Sequence, residues 1–454
     1  MANSRRRHAR VARPAGTRHR APTRPAEPGP VLELDVDRIA HGGVAVARHE
    51  GRVVFVADAV PGERVRVRVT DAGHDRFWRA DTLEVLDASP DRREHVWAEA
   101  SVDRAPEHRV GGAEFGHIAM RRQRELKGEV LHDALARMGG LEREVDVRPV
   151  DPALAPGVDP ESGTGWRTRV RLHVGADGTV GPYAARSHRI VPVSSLPLAV
   201  AELEAIAPIG ADGRPAGAGT GADSGASAID LVAPSTGAAE LVVRNPGDRR
   251  RDHPPTIVER VGERRFTLDR GGFWQVHRGA AATLTRAVQE AVDPDRFDPE
   301  ADNQDLYGGV GLLAAAIGDR FGPSTRITTV EADARATEHA GANLADWVGA
   351  RAVSDRVDRY LDRLAGAADA ASRGLRGATV VLDPPRAGAG RAVVDRLAGL
   401  RPAQVVYVAC DPVALARDVA TFREHGYELE TLDAFDLFPN THHVEAVARF
   451  AAIV

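Results

Sequence analysis

Asp305-Leu-Tyr-Gly-Gly-Val-Gly311 is the stretch from which the architecture of this 454-residue chain is read. An Ala-rich helical stretch follows it, and Val330-Glu331 comes next, Glu331 lying twenty residues beyond Gly311. Glycines let a backbone approach a ligand closely, and an acid about twenty residues later is placed to accept both hydroxyls of a ribose. The pattern implies a nucleoside cofactor, although a Gly-rich turn before a helix also occurs for packing alone. Around it, from Phe266 onward, helical segments alternate with the apolar runs Arg326-Ile-Thr-Thr-Val330, Ala378-Thr-Val-Val-Leu382 and Gln404-Val-Val-Tyr-Val-Ala409. That alternation predicts an α/β domain over 266–454, a mostly parallel sheet covered by helices, with ligands at the carboxyl ends of its strands.

Two further motifs leave such strand ends. Leu382-Asp-Pro-Pro-Arg-Ala-Gly388 puts Asp383 at the ligand crevice, with prolines fixing the turn. Its simpler reading is a rigid loop in which Asp383 caps a turn. Val408-Ala-Cys-Asp-Pro-Val-Ala-Leu-Ala-Arg-Asp418 carries Cys410, the only thiol in the chain. A lone Cys is most often inert and buried, but one at a strand end before Asp-Pro is a candidate nucleophile. Glu445, in Phe438-Pro-Asn-Thr-His-His-Val-Glu445, is a candidate base; an isolated Glu in such a place is otherwise an ordinary surface or ion-paired group.

Toward the N-terminus the periodicity changes. Residues 91–265 read as a small α+β region, with a helix from Met120 to Met138, strands at Trp166–Val174 and Glu240–Arg244, and a Gly/Ala/Asp-rich flexible loop at 209–227. Over 31–90, short alternating runs are broken by turns every 8–12 residues, as at His41-Gly42-Gly43 and Pro61-Gly62. This predicts a small antiparallel, OB-like barrel. Residues 1–30 hold eight Arg, five Pro and one acid, leaving 52 basic against 64 acidic residues elsewhere. The segment reads as a disordered basic arm able to neutralise nucleic-acid phosphates, or as a solvated tail.

Composition excludes several classes. One Cys cannot supply a disulfide framework, a Cys-rich zinc module or a thiolate-held cluster, and no metal site is expected. No apolar run reaches the ~18 residues of a membrane span, and no secretory leader is visible, so a cytoplasmic protein without a membrane partner is expected. Oligomeric state is not encoded in any of these patterns.

Taken together, the motifs resemble the RNA uracil-5 methyltransferases, the family that makes 5-methyluridine in transfer and ribosomal RNA. The resemblance runs from about residue 31 to the end. It rests on Phe273-Trp-Gln-Val-His277, the Asp305–Gly311 loop, Asp383-Pro-Pro-Arg386, Ala409-Cys-Asp-Pro412 with Leu415-Ala-Arg-Asp418, and Phe438–Glu445. Ile39-Ala-His-Gly-Gly-Val44, Phe55-Val56 and Pro61-Gly62-Glu63 look like a TRAM domain. The resemblance implies a Rossmann-like class I methyltransferase domain behind a TRAM barrel and a central α+β domain. It also implies that Gln275, Tyr307, Glu331 and Asp383 hold S-adenosylmethionine, that Cys410 adds to uracil as nucleophile, and that Glu445 is the general base. RNA is the implied partner. Many relatives carry a four-Cys iron–sulfur site, whereas the corresponding Val110–His117 has no Cys. Gly308 stands where Cys is common, and Asn303 and Gln304 fall where a buried parallel strand is expected to be apolar. That polar pair motivates an alternative, a catalytically weak RNA-binding or assembly protein on the same scaffold. A methyltransferase for other substrates fits less well, because methylating an amine or carboxylate needs no thiol adduct.

Overall fold

The computed structural model describes residues 29–74, 76–210, 227–245, 254–366 and 375–453. The basic arm, up to residue 28, and nearly all of the 209–227 loop lie outside the described residues.

Strands β1 (Val31–Ala40), β2 (Val44–His49), β3 (Arg52–Ala57), β4 (Arg64–Asp71) and β5 (Phe77–Asp87) form a closed barrel in the order β1-β2-β3-β5-β4. Alternation explains it: Val65, Val67 and Val69 of β4 point inward with Val54, Val56 and Ala80, while arginines between them face water. The barrel is tied to the next segment by buried Glu63, which accepts from the Val60 N–H at 2.8 Å and pairs with Arg92 at 2.5 Å.

The segment that follows does not form one unit. Helix Met120–Ala134 ends in a π-turn at Leu135–Gly139, and β6 (Val147–Pro149) comes after it. Leu131, Leu135 and Val147 belong to an apolar cluster of the large C-terminal sheet, and β6 pairs with that sheet in parallel. A second small sheet runs in the order β10-β9-β7-β8, from β7 (Arg169–Val174), β8 (Val180–Gly181), β9 (Ala228–Val232) and β10 (Glu240–Arg244). Val110 and Ala113 pack into its core with Leu196 and Trp97. A hairpin of β11 (Thr256–Val261) and β12 (Arg264–Asp269) straddles the division expected at 265/266, which a three-residue β6 and an even alternation through the hairpin gave no means to place.

The large sheet contains β13 (Asn303–Leu306), β14 (Ile327–Glu331), β15 (Ala350–Ser354), β16 (Thr379–Leu382), β17 (Gln404–Ala409), β18 (Tyr427–Asp436) and β19 (Glu445–Ala452). Its order is β15-β14-β13-β16-β17-β19-β18-β6, parallel through β17, with β19 antiparallel between β17 and β18. Helices on both faces bury two apolar clusters against it, which gives the class I methyltransferase fold. No helix among the described residues is long and apolar enough to cross a membrane.

Candidate active site

Register aligns the strand ends. Val330 pairs with Leu306, Leu306 with Leu382, and Leu382 with Tyr407, so Tyr307, Glu331 and Asp383 emerge side by side at the carboxyl edge. Ala409 pairs with Ala446 in the antiparallel direction, which sets Cys410, leaving β17, against Glu445, opening β19. Residues 35 positions apart in the chain are thereby brought to one point. Gln275 sits apart, partly buried between β12 and helix Ala280–Ala291, with no hydrogen bond among the described residues. Its neighbour Trp274 packs in the cluster that holds Val310 and Leu312 of the glycine loop.

The loop after β13 is bent as its glycines allow. Gly309 and Gly311 have φ of 55° and 90°, and Tyr307 takes a left-handed φ of 64°, a conformation that a non-glycine residue seldom adopts outside a constrained site. Glu331 accepts the Gly309 N–H at 3.2 Å and the Asp333 N–H at 2.7 Å. Asp305 Oδ2 accepts from the Thr329 hydroxyl at 2.9 Å and the Ala314 N–H at 3.2 Å, while buried Oδ1 has no hydrogen-bond partner. Gly308 faces this pair closely enough that any Cβ there would collide with the Thr329 hydroxyl and press on the Asp305 carboxylate.

Polar β13 is accounted for bond by bond. Asn303 Nδ2 donates to the carbonyls of Asp298, Ala301 and Arg326 at 3.0–3.2 Å, and its Oδ1 accepts the Thr379 N–H at 2.8 Å. Gln304 donates to the Asp302 carbonyl at 2.7 Å and accepts from the Tyr360 hydroxyl at 2.8 Å. These amides lock strand ends together, which removes the reason to read the strand as defective.

Charge in the site is lopsided. Burial pushes Asp383 up to about 7, with Asp305 adding repulsion. Burial likewise lifts Asp305 to about 6, against its hydrogen bonds. Glu445, 4% exposed, is held well above the carboxylate range by burial and then by Asp383. The Cys410 thiol is raised to about 12 by burial, then by Glu445 and Asp383, with Arg386 acting in the opposite direction.

Other groups support the two loops. Asp418 accepts from the Tyr407 hydroxyl at 2.6 Å and the Ala389 N–H at 2.8 Å, so the Leu415–Asp418 motif pins the loop after Asp383. Arg386 donates to His443 at 3.2 Å; burial, then His442 and Arg386, lowers that imidazole to about 3. The Phe438–Glu445 loop is held from helix Met120–Ala134. Gln123 donates to Asn440 Oδ1 at 3.0 Å and accepts its N–H at 2.8 Å; Lys127 donates to the Phe438 carbonyl at 3.1 Å and pairs with Asp436 at 2.5 Å. From the barrel, His41 lies 3.4 Å from Asp411, whose other oxygen caps helix Pro412–Glu424. Asp305, Arg386 and His443 stood inside motifs already quoted and were findable there. His41 and Glu114, the latter 3.5 Å from His442, also stood in quoted stretches, a barrel turn and Val110–His117, but tertiary packing alone brings them to this site.

Known proteins resemble this chain in sequence and in fold. Residues 352–450 match the tRNA (Uracil-5-)-methyltransferase family, and residues 25–80 match the TRAM domain. A protein named as an uncharacterized RNA methyltransferase from Streptomyces avermitilis is 37% identical, covering 92% of this chain and 98% of its own. Another so named, from Streptomyces coelicolor, is 38% identical over 92% of each. The crystal structure of Pyrococcus abyssi tRNA (uracil-54, C5)-methyltransferase in complex with S-adenosyl-L-homocysteine superposes with a TM-score of 0.64 over 92% of this chain and 99% of that one; at 21% identity, this is a likeness of fold. With full-length relatives above 30% identity and both domain matches in place, the chain belongs to the TRAM-containing RNA methyltransferases of the tRNA (uracil-5-)-methyltransferase family.

Proposed function

We propose that this protein transfers a methyl group from S-adenosylmethionine to carbon 5 of a uridine in transfer or ribosomal RNA, through a covalent adduct of Cys410. The observation that carries this reading is the β17–β19 register, which sets the sole thiol against a buried acid at the carboxyl edge. The cofactor fits the residues present. Buried, partly unsatisfied Asp305 and its acidic neighbours suit a cationic ligand, and Glu331 stands at the end of β14 where ribose hydroxyls are accepted. Gln275, Tyr307, Glu331 and Asp383 would hold it. When bound, it supplies the methyl group on a positively charged sulfur.

The protein's own groups do the rest. Sγ of Cys410 adds to carbon 6 of uracil, and the electron pair displaced from the C5–C6 bond makes carbon 5 nucleophilic. Among three acids and one guanidinium the thiol is held protonated in the resting protein; added positive charge in the site favours ionisation of Cys410 and Glu445, whose protons pass to solvent before the thiolate adds. After methylation of carbon 5, Glu445, ionised under the same added positive charge, takes the proton from that carbon, and the C6–S bond breaks with its electrons returning to sulfur. A uridine in folded RNA must be splayed out to reach Cys410, and we assign residues 31–90 to holding the strand around it. The cytoplasm, where RNA and a reduced thiol coexist, is the compartment this chemistry requires.

Incubation with labelled S-adenosylmethionine and bulk RNA from a strain lacking the gene, followed by nucleoside analysis, tests the reading. A 5-methyluridine peak that disappears with Cys410→Ala is expected; turnover retained by that variant removes the thiol mechanism. Glu445→Gln should accumulate a denaturation-resistant protein–RNA complex. The scaffold-only alternative requires no incorporation and no cofactor binding.

A further inference from the structure

Arginines on the barrel fall into two groups. Arg64 and Arg66 are paired with Glu33 at 3.2 Å, Arg66 also meets Glu84, and Arg38 pairs with Asp133. Around β2, β3 and β5, by contrast, Arg48, Arg52, Arg76 and Arg79 form no ion pair among the described residues. The aromatic side chains of the barrel lie on this unneutralised side. Val54 and Val56 are fully buried, so Phe55 between them faces outward, next to Phe77 and Arg79 on parallel β5. The two rings meet edge to face at 5.5 Å, the Arg79 guanidinium lies 5.7–5.9 Å from both, and His74, more than half exposed, stacks on Phe77 at 4.4 Å. On the other face of β5, Arg52 covers Trp78 at 4.4 Å where that ring packs against the barrel interior.

This face leads toward the active site. Four residues further along β5, about 13 Å at strand rise, Asp81 lines a groove of about 1190 Å³ between barrel and central sheet. Arg68, Arg79, Tyr183 and Arg189 also line it, and it reaches His442, three residues before Glu445.

We propose that Phe55, Phe77 and His74, with Arg79, form a stacking site for an unpaired RNA nucleotide other than the target uridine. The inference rests on the RNA-modifying reading above and adds where the flanking strand is gripped. Aromatic faces take any base, while arginines without acid partners take the phosphates. An acidic peptide would use the arginines and leave the rings idle.

The test uses the full chain without cofactor and a fluorescein-labelled, single-stranded RNA 12-mer, read by anisotropy, beside an abasic chain of equal length. Phe77→Leu, which keeps the apolar volume, should weaken RNA binding about tenfold and leave the abasic chain unaffected, and Phe77→Tyr should restore it. Arg79→Gln, at an exposed position that poses no threat to folding, should weaken both ligands and reduce the salt dependence by about one phosphate contact. RNA affinity unchanged in Phe77→Leu, while the wild type still methylates bulk RNA, overturns the stacking site and leaves the proposed function standing. A wild type that neither binds RNA nor methylates it overturns both.

Discussion

A carboxyl group buried beside another carboxyl folds more easily as the neutral acid, first because burial disfavours its charge and then because Asp305 repels it, and Asp383 is in that position. Its value in the folded chain, about 7, lies above the ordinary ~4 of an unfolded one. The stability it contributes is therefore complete below about pH 4 and is lost as pH climbs through about 7, the reverse of acid denaturation. Asp383→Asn removes the charge without changing the shape. It should raise Tm relative to wild type by clearly more at pH 8 than at pH 5, as read by scanning calorimetry; an equal difference at both values would mean that Asp383 is already ionised when folded. A cationic ligand bound among these acids, as proposed above, would relieve the cost of keeping them together in the resting protein.

Among the elements, β13 shows how much the sequence conveyed and where it fell short. Apolar β16 and β17 were legible because a buried parallel strand is usually a continuous apolar run. The edge where Asp383 and Cys410 emerge followed from that. Asn303 and Gln304 broke the pattern, since partners such as Thr379 and Tyr360 are 76 and 56 residues away and nothing local reveals them. Gly308 is explained in the same way: the Thr329 hydroxyl occupies the space a side chain there would need. Gly308→Ala should therefore destabilise by about 1–3 kcal/mol, as overpacking does, and Thr329→Ala in the same chain should recover much of the loss. Urea midpoints of the two single variants and the double one measure the coupling; strictly additive effects would separate the two residues.

At the scale of the molecule, the domains interlock rather than follow one another. Helix Met120–Ala134 lies in the central stretch by sequence, yet its Lys127, 1% exposed, neutralises Asp436 at the end of β18. Lys127→Met leaves a buried carboxylate without its cation and should cost about 3–5 kcal/mol, with Lys127→Met/Asp436→Leu recovering most of it by the same urea assay. Composition could not foresee such pairing, because helix and strand each look self-sufficient. The strand order carries one more implication. Since β19 lies between β17 and β18, a β18–β19 hairpin that adds to the sheet as a unit meets it with its second strand, and that pairing is what brings Glu445 beside Cys410. Before docking, the thiol stands at an open sheet edge with the ordinary acidity of a free cysteine, near 8.5. Iodoacetamide at pH 8 should thus label chains in which the hairpin is undocked and spare completed ones, so the sole thiol reports on the assembly of its own sheet and remains chemically quiet once that assembly is finished.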